Sequence, residues 1–378
     1  MKNVLICTPY FAPGYLAGGS VKTIVNTVRG LETDFVFWIL TQDRYSKANS
    51  PYITTSTDEW QTFGCAQVRY LNPKQRGIKH LFQLLSSTPG DVLFLNSFFS
   101  PFAAIKPLIC NLFLSKPVLL APRGELMPGA LSLKPWRKKI YLTIFKYMGL
   151  GTRIQWLVSS EEESSALLKI FGEGLNLHII SDPVLSEPKP NYNFDLDPAQ
   201  GLQLVFVSRI DRKKNLAFAL QVLALHPNAI KLDIFGPIDD AEYWAELQKQ
   251  IAQLPKHIQI VYRGSLESNQ VIQTLASYHA LFVPTLGENF GYIFIEALLA
   301  GCPLLISRAT PFRELEEKGV GWDLDLNSLP SFANAILHLE KQSLSTHQAM
   351  RAQTRDYGLT LQSNNASLPA MRALLKDL

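Results

Sequence analysis

The stretch PTLGENFGYIFIEALLAGCPLL, Pro284 to Leu305, decides the reading of this chain. A short apolar run, Ala280–Val283, leads into a polar, glycine-containing loop. The loop opens into a helix-like run from Tyr292 to Ala300, which stops at Gly301 and Pro303. A second apolar run, Leu304 to Ser307, follows. Strand, loop, helix and strand in this order form one layer unit of a parallel α/β sheet. Two carboxylates flank the helix start: Glu288 before it and Glu296 inside it, about one turn on at 1.5 Å per residue. A helix N-terminus attracts phosphate, because its first N–H groups are unpaired and the macrodipole is positive there. Carboxylates bind hydroxyls instead. The segment suits a ligand with a phosphate centre and a hydroxyl-rich group at each end, as in a nucleotide-sugar.

The rest of the chain sets the frame for such a site. At 378 residues it is long for a single core, and two domains are expected. Hydrophobic residues make up 47% and charged residues 18%, the balance of a globular protein with ample core. A net charge of +4 does not argue for nucleic acid, and no nucleic-acid partner is expected. Cys7, Cys65, Cys110 and Cys302 lie far apart with no C-x-x-C pair, which fits a reducing compartment rather than a zinc site or disulfide frame. The apolar run in MKNVLICTPY is too short for a signal peptide and reads as a first buried strand. No run of about 18 apolar residues suggests a transmembrane helix. The expected place is the cytoplasm, at the cytoplasmic face of a membrane if the segment 134–148 makes peripheral contact.

Short apolar runs recur in both halves: Val4–Cys7, Phe35–Leu40, Gln67–Tyr70, Val92–Leu95, Pro117–Ala121, Trp156–Val158 and Leu177–Ile180, then Leu202–Val207, Lys231–Phe235, Ile258–Tyr262, Ala280–Val283 and Pro303–Ile306. Continuous Val/Ile/Leu runs separated by helical stretches indicate parallel sheets covered on both faces. The pattern begins twice, and SEPKPNYNFDLDPAQ, rich in Pro, Asn and Asp, reads as a linker over 186–200. The expectation is two doubly wound α/β domains, 1–185 and 201–358, facing a deep cleft. A C-terminal helix over 359–378 would return toward the first domain. Ligands sit beyond the carboxyl ends of strands in such sheets.

At the carboxyl end of Leu204–Val207, Arg209 is followed by Lys213 and Lys214 just before a helix. Cations so placed can clamp a diphosphate and meet the charge that builds as it leaves. Taken alone, RIDRKK is as readily a solvated surface loop; together with Glu288 and Glu296 it favours a site. Glu296 is flanked by Phe294, Ile295, Leu298 and Leu299, so a carboxylate on this helix is expected to have a partner.

These residues carry a resemblance. GENFGYIFIE, a Glu, seven residues and a second Glu, looks like the signature of retaining glycosyltransferases of family 4, which have the GT-B fold. SRIDRKKN resembles that family's diphosphate clamp, IFGPIDDAEYWAEL the stretch after it, YRGSL its nucleobase-contacting loop with Ser265 and Leu266, SEEESSALLKIFG the end of its N-terminal domain, and FAPGYLAGGS its glycine loop. The resemblance implies that Arg209 and Lys214 hold the diphosphate and assist its departure, that Glu288 contacts the donor sugar nearest the reacting carbon, and that Glu296 binds the ribose. It further implies that Asn289, Phe290 and Gly291, with Tyr292 beside them, present backbone N–H groups to the donor, and that Gly18 and Gly19 let the backbone approach the leaving phosphate. By the same resemblance the enzyme is a hexosyltransferase that needs no metal or cofactor beyond its nucleotide-sugar, UDP-linked in the main expectation.

There are departures. Ser208 replaces a glycine frequent before the clamp arginine. Asn96, in FLNSFFSP, stands where many members have a histidine near the acceptor, and Asn cannot act as a base near neutral pH. The block APRGELMPGALSLKPWRKK resembles a form found in enzymes that build bacterial surface polysaccharides such as lipopolysaccharide, and places Arg123 and Glu125 on the acceptor side; a loop ion pair is the plainer account of those two. Gly14 and Gly19 have P-loop spacing, but Ser20 and Val21 replace the required Lys and Ser/Thr. The triplets Asp195–Asp197 and Asp323–Asp325 mimic a metal-binding D-x-D, yet fall in the linker and a late loop. In 134–148, Tyr141, Ile144, Phe145 and Met148 share a helical stripe flanked by Lys138, Lys139 and Lys146. Such a stripe either packs on its own domain or lies on an anionic bilayer. The resulting expectation is transfer of a sugar to a hydroxyl of a glycan or lipid-linked glycan. The alternatives are a non-catalytic nucleotide-sugar-binding subunit of a polysaccharide assembly complex, and another two-domain nucleotide-sugar enzyme such as an epimerase.

Overall fold

A computed structural model describes the chain except residues 46–49, 53–54, 57, 132–134 and 186–195. The chain divides into two compact units. The first holds Met1–Leu185 together with Asn365–Leu378, and the second holds Ser186–Asn364. Most of the expected linker, 186–195, lies outside the described residues.

In the first unit the strands are β1 (Lys2–Cys7), β2 (Phe35–Gln42), β3 (Trp60–Phe63), β4 (Ala66–Leu71), β5 (Val92–Leu95), β6 (Val118–Leu120), β7 (Gln155–Val158) and β8 (Asn176–Ile179). They lie in the order β3-β4-β2-β1-β5-β6-β7-β8. Every pairing is parallel except β3 with β4, which run antiparallel at the edge. The helices are α1 (Gly19–Gly30), α2 (Ile78–Ser87), α3 (Lys106–Leu114), α4 (Pro128–Leu131), α5 (Pro135–Tyr147) and α6 (Glu161–Phe171). Residues of α2, α3, α5 and α6 pack on one face of the sheet and those of α1 on the other. Strand residues such as Val4, Leu5, Ile6, Leu93 and Phe94 are fully buried, as a sheet covered on both faces requires.

The second unit has six strands: β9 (Leu202–Val207), β10 (Ile230–Phe235), β11 (Ile258–Tyr262), β12 (Ala280–Val283), β13 (Leu304–Ser307) and β14 (Gly321–Leu324). Their order is β11-β10-β9-β12-β13-β14, all parallel. Its helices are α7 (Leu216–Ala224), α8 (Ala241–Ala252), α9 (Val271–Leu275), α10 (Tyr292–Leu299), α11 (Leu329–Glu340) and α12 (Leu344–Ser363). In both sheets the strand order reverses once, between β1 and β5 and between β9 and β12. Those reversals are the topological switch points beyond which ligands sit.

Three expectations change. The helix expected over 359–378 is the end of α12 followed by a separate helix, α13 (Ser367–Asp377). The Asn364-Asn365 pair ends α12, and Asn365 Oδ1 accepts from Ser367 N at 3.1 Å, a local bond that competes with helix continuation. Helix α13 belongs to the first unit, where Arg372 Nε meets Asp34 at 2.8 Å. Secondly, Asp323 and Leu324 end a strand rather than lie in a loop, and the Asp323 carboxylate accepts from Leu315 N at 2.9 Å. Thirdly, the stripe of 134–148 splits. Phe145 is buried and Tyr141 half-buried in a ring cluster with Phe98, at 5.0 and 5.1 Å, while Ile144 and Met148 face outward. Residue 134 lies outside the described residues.

Helix α12 packs against α10 at Gly358, where an added Cβ would come within 2.8 Å of the Leu298 carbonyl carbon and Leu299 N. Arg351 of the same helix is fully buried and donates to the carbonyls of Tyr278 and Ala276, both at 2.6 Å. Gly358→Ala is therefore expected to lower stability by about 1–3 kcal/mol through overpacking against rigid backbone. Urea unfolding would show the loss as a lower midpoint with unchanged slope.

Candidate functional site

The second unit assembles its charged residues at the β9–β12 switch point. Strand β9 ends at Val207, and Gly236 after β10 comes so close that a Cβ on it would sit 1.8 Å from the Ser208 carbonyl oxygen. With φ +140 this position needs glycine on both counts. Next comes Arg209, whose guanidinium meets Asp239 at 2.8 Å and Asp211 at 3.6 Å. The side chain of Asp211 caps the following 3₁₀ turn, accepting from Lys214 N at 3.1 Å. Arg212 turns outward to a bidentate pair with Glu246 at 2.7 and 3.0 Å.

The loop after β12 is tied to this turn. Leu286 N and Thr285 Oγ1 both bond the Lys213 carbonyl, at 2.8 and 3.1 Å. The Lys214 ammonium donates to Glu288 Oε2 in a largely buried ion pair. Burial alone would raise the Glu288 carboxyl, but the charge and hydrogen bond of Lys214, then the charge of Lys213, hold it below the ordinary glutamate range. Burial lowers the Lys213 ammonium. Glu288 N bonds Ala309 O at 2.8 Å, which fixes the loop from its far side.

Gly291, with φ +81, turns the loop into α10; a Cβ there would meet Phe294 at 2.5 Å and Glu288 Cγ at 3.0 Å. Neither a capping side chain nor an acidic residue sits in the first turn of α10. Asn289 and Phe290 lie half-buried in the loop, and Phe290 meets Tyr292 edge-on at 4.8 Å. Glu296, one turn into α10, is buried. Ser265 and Leu266 follow β11, beside Gly264, whose carbonyl accepts from Gly236 N at 2.8 Å. Arg209, Lys214, Glu288 and the start of α10 are thus brought together by two adjoining strand ends. Lys213, expected from the sequence among the clamping cations, and Gly236, which the sequence did not point to, add to them.

In the first unit the switch point between β1 and β5 carries a second polar group. Gly18, with φ +100, precedes α1, which starts at Gly19 without a capping side chain. Asn96, after β5, is buried and donates to Thr8 Oγ1 at 3.1 Å. Its carbonyl accepts from Arg123 Nε at 2.7 Å, and Arg123 Nη1 donates to Asp182 at 2.6 Å. Asp182 in turn accepts from Thr23 of α1 at 2.9 Å. Arg123 and Glu125 do not pair with each other. Glu125 accepts from Ser97 Oγ and the backbone N–H groups of Phe98 and Phe99 at 2.7–2.8 Å. It holds the loop after β5 in place, a role its sequence position did not disclose. Among the described residues no group of three or more His, Cys, Asp or Glu is placed to hold a metal ion.

Two Rossmann-like units with parallel, doubly wound sheets are the GT-B architecture. Over its whole length the chain superposes on Anabaena Alr3699/HepE, solved in complex with UDP and glucose, with a TM-score of 0.74 at 13% identity and both chains fully covered. Residues 192–357 match the family described as glycosyl transferases group 1. Mouse alpha-1,3/1,6-mannosyltransferase ALG2 is 28% identical over 144 residues, 34% of each chain. The chain thus spans about a third of that relative's length. A 41.2 kDa protein in the cps region of Klebsiella pneumoniae is 21% identical over 273 residues, 68% of this chain and 73% of its own.

The ion pair sets a pH dependence. A carboxyl lowered on folding contributes stability that is complete above its unfolded value, about 4.3, and is lost as pH falls through the lower folded value. The melting-temperature gap between the wild type and Glu288→Gln is expected to stay constant from pH 8 to 5 and to narrow in more acidic buffer. A gap that widens on acidification would contradict the pair.

Proposed function

We propose that this chain is a retaining glycosyltransferase that moves a sugar from a nucleoside-diphosphate donor, UDP-linked, to a hydroxyl of a glycan or lipid-linked glycan in cell-surface polysaccharide biosynthesis. The observation that carries it is the Lys214–Glu288 pair beside Lys213 and the start of α10, at a switch point within the stretch that matches glycosyl transferases group 1. Lys214, Lys213 and Arg209 supply positive charge where a diphosphate would gather negative charge on leaving, and the N–H groups opening α10 add a dipole of the same sign. The reaction then draws its charge stabilisation from the protein and needs no metal. Glu288 faces the transferred sugar and Glu296 the ribose. Asn96 and Arg123 bind the acceptor from the first unit, with Glu125 holding the loop that presents Asn96. UDP is favoured by the likeness to a protein solved with UDP and glucose. A surface glycan is favoured by the block 121–139 and by a relative from a cps region.

A thermal-shift screen against UDP-, GDP- and ADP-sugars tests the donor: at a hundredfold excess over Kd, the true donor stabilises the fold by about 2.7 kcal/mol. With that donor and an acceptor, Glu288→Ala is expected to abolish transfer in a coupled assay. Glu296→Ala is expected to raise the donor KM about 10–100-fold, the loss of a charge-assisted hydrogen bond worth about 1.5–3 kcal/mol. Activity should persist in EDTA, and NMR of the product should show the donor's anomeric configuration. Wild-type turnover by the Glu288 variant would sink the assignment; binding without turnover across acceptors would favour the non-catalytic subunit.

A further inference from the structure

We propose that Asp239 is a positioning residue for the transfer reaction: it holds the Arg209 guanidinium until the donor's diphosphate displaces it, and takes it back as the diphosphate leaves. This rests on the reading of the second unit as the nucleotide-sugar site. It adds a residue that competes with the substrate rather than touching it.

Asp239 is placed by backbone. Beyond the ends of β9 and β10 the two segments stay in register. Ser208 N bonds Phe235 O at 3.0 Å and Ile210 N bonds Pro237 O at 2.8 Å, while the N–H groups of Asp239 and Asp240 both reach Ile210 O at 3.2 Å. Ile210 and Ile238 form a parallel bridge. Asp239 therefore stands beside Arg209 as a consequence of strand register.

The neighbouring acids have other tasks. Asp211 caps the turn at Lys214 N, 3.1 Å away, and its second oxygen lies 3.6 Å from Arg209, beyond hydrogen-bond reach. Asp240 caps α8 at Tyr243 N, 2.9 Å away. It is Asp239 that hydrogen-bonds the Arg209 guanidinium, Oδ2 to Nη1 at 2.8 Å. Carboxylate and phosphate oxygens fit the same fork of guanidinium N–H groups, so Asp239 and a diphosphate compete for Arg209.

Charge gives the competition its direction. Arg209, Lys213 and Lys214 stand with Asp211, Asp239 and Glu288, a group close to neutral before a ligand arrives. A diphosphate needs a positive field, and one ion pair must open to supply it. The side chains of Lys214 and Glu288 are 11% and 18% exposed, so parting them strands buried charge. Those of Arg209 and Asp239 are 39% and 42% exposed, and such a pair is screened and weak. The exposed pair opens and the buried pair stays. Once the sugar has moved, the nucleoside diphosphate ends in a phosphate monoester and carries more negative charge than the donor did. A clamp without a competitor would hold that product; Asp239 recovers Arg209 and releases it.

Calorimetric titration of UDP and of uridine into the wild type, Asp239→Asn, Arg209→Met and the double variant tests this. Asp239→Asn is expected to bind UDP about two- to fivefold more tightly, the range an exposed ion pair supports, with uridine affinity unchanged. The gain should vanish in the Arg209→Met background. In transfer assays UDP should inhibit Asp239→Asn at a concentration lower by the same factor. Asp239→Ala should repeat the result, with melting temperatures showing that each variant is folded. Equal or weaker UDP binding by the folded Asp239 variants would overturn the proposal, as would a gain that persists without Arg209 or extends to uridine. Those outcomes leave the donor reading standing, whereas failure of the wild type to bind UDP would overturn both.

Discussion

A carboxylate and an ammonium that meet between two strand-end loops hold the second unit's site together. The Lys214–Glu288 pair joins the turn after β9 to the loop after β12, and neither charge would be tolerated so far from water alone. Backbone bonds fix the same junction: the Lys213 carbonyl receives both Thr285 and Leu286, and Asp211 holds the N–H of Lys214. The pair is therefore set before any ligand arrives. A diphosphate entering there would meet cations whose positions have already been settled by the fold, which is the condition under which electrostatic stabilisation costs least reorganisation.

The first unit solves a comparable problem with a different chain of contacts. Asn96, Arg123, Asp182 and Thr23 link the ends of β5 and β6, the segment after β8, and α1 in one buried relay. Arg123 takes a left-handed backbone conformation, φ +54, which costs of order 1–3 kcal/mol and persists only where surrounding contacts over-determine it. Two side-chain hydrogen bonds of Arg123 do that here, while its Nη2 is buried without a partner. Strain and an unpaired donor at a strand end are features that stability alone does not favour.

Much of this was legible before the structure. Buried parallel strands announce themselves as unbroken apolar runs, so Val4–Cys7, Val92–Leu95 and Ala280–Val283 were found nearly to the residue. Edge strands do not: Trp60–Phe63 is half-exposed and antiparallel, Gly321–Leu324 is short and opens on glycine, and both escaped. The clamp cations and Glu288 could be named because RIDRKK and GENFGYIFIE, each just past an apolar run, together resemble a family signature that neither carries alone. Gly236 and Asp182 could not, since their importance lies in contacts with residues 28 and 59 positions away, Ser208 and Arg123. On α5 the helical period was correctly sensed, but which stripe faces the core depends on Phe98, Trp156 and Phe171, which come from other elements.

The central claim is that the strand-end junction at Lys214 and Glu288 receives the diphosphate of a nucleotide-sugar. Calorimetric titration of UDP, UMP and uridine into the wild type and into Lys214→Met tests it most directly. The account predicts that UDP binds far more tightly than UMP or uridine to the wild type, and that this advantage disappears in the Lys214 variant while its fold is retained. Equal affinity for UDP in both proteins, or no preference for the diphosphate over UMP, would contradict it.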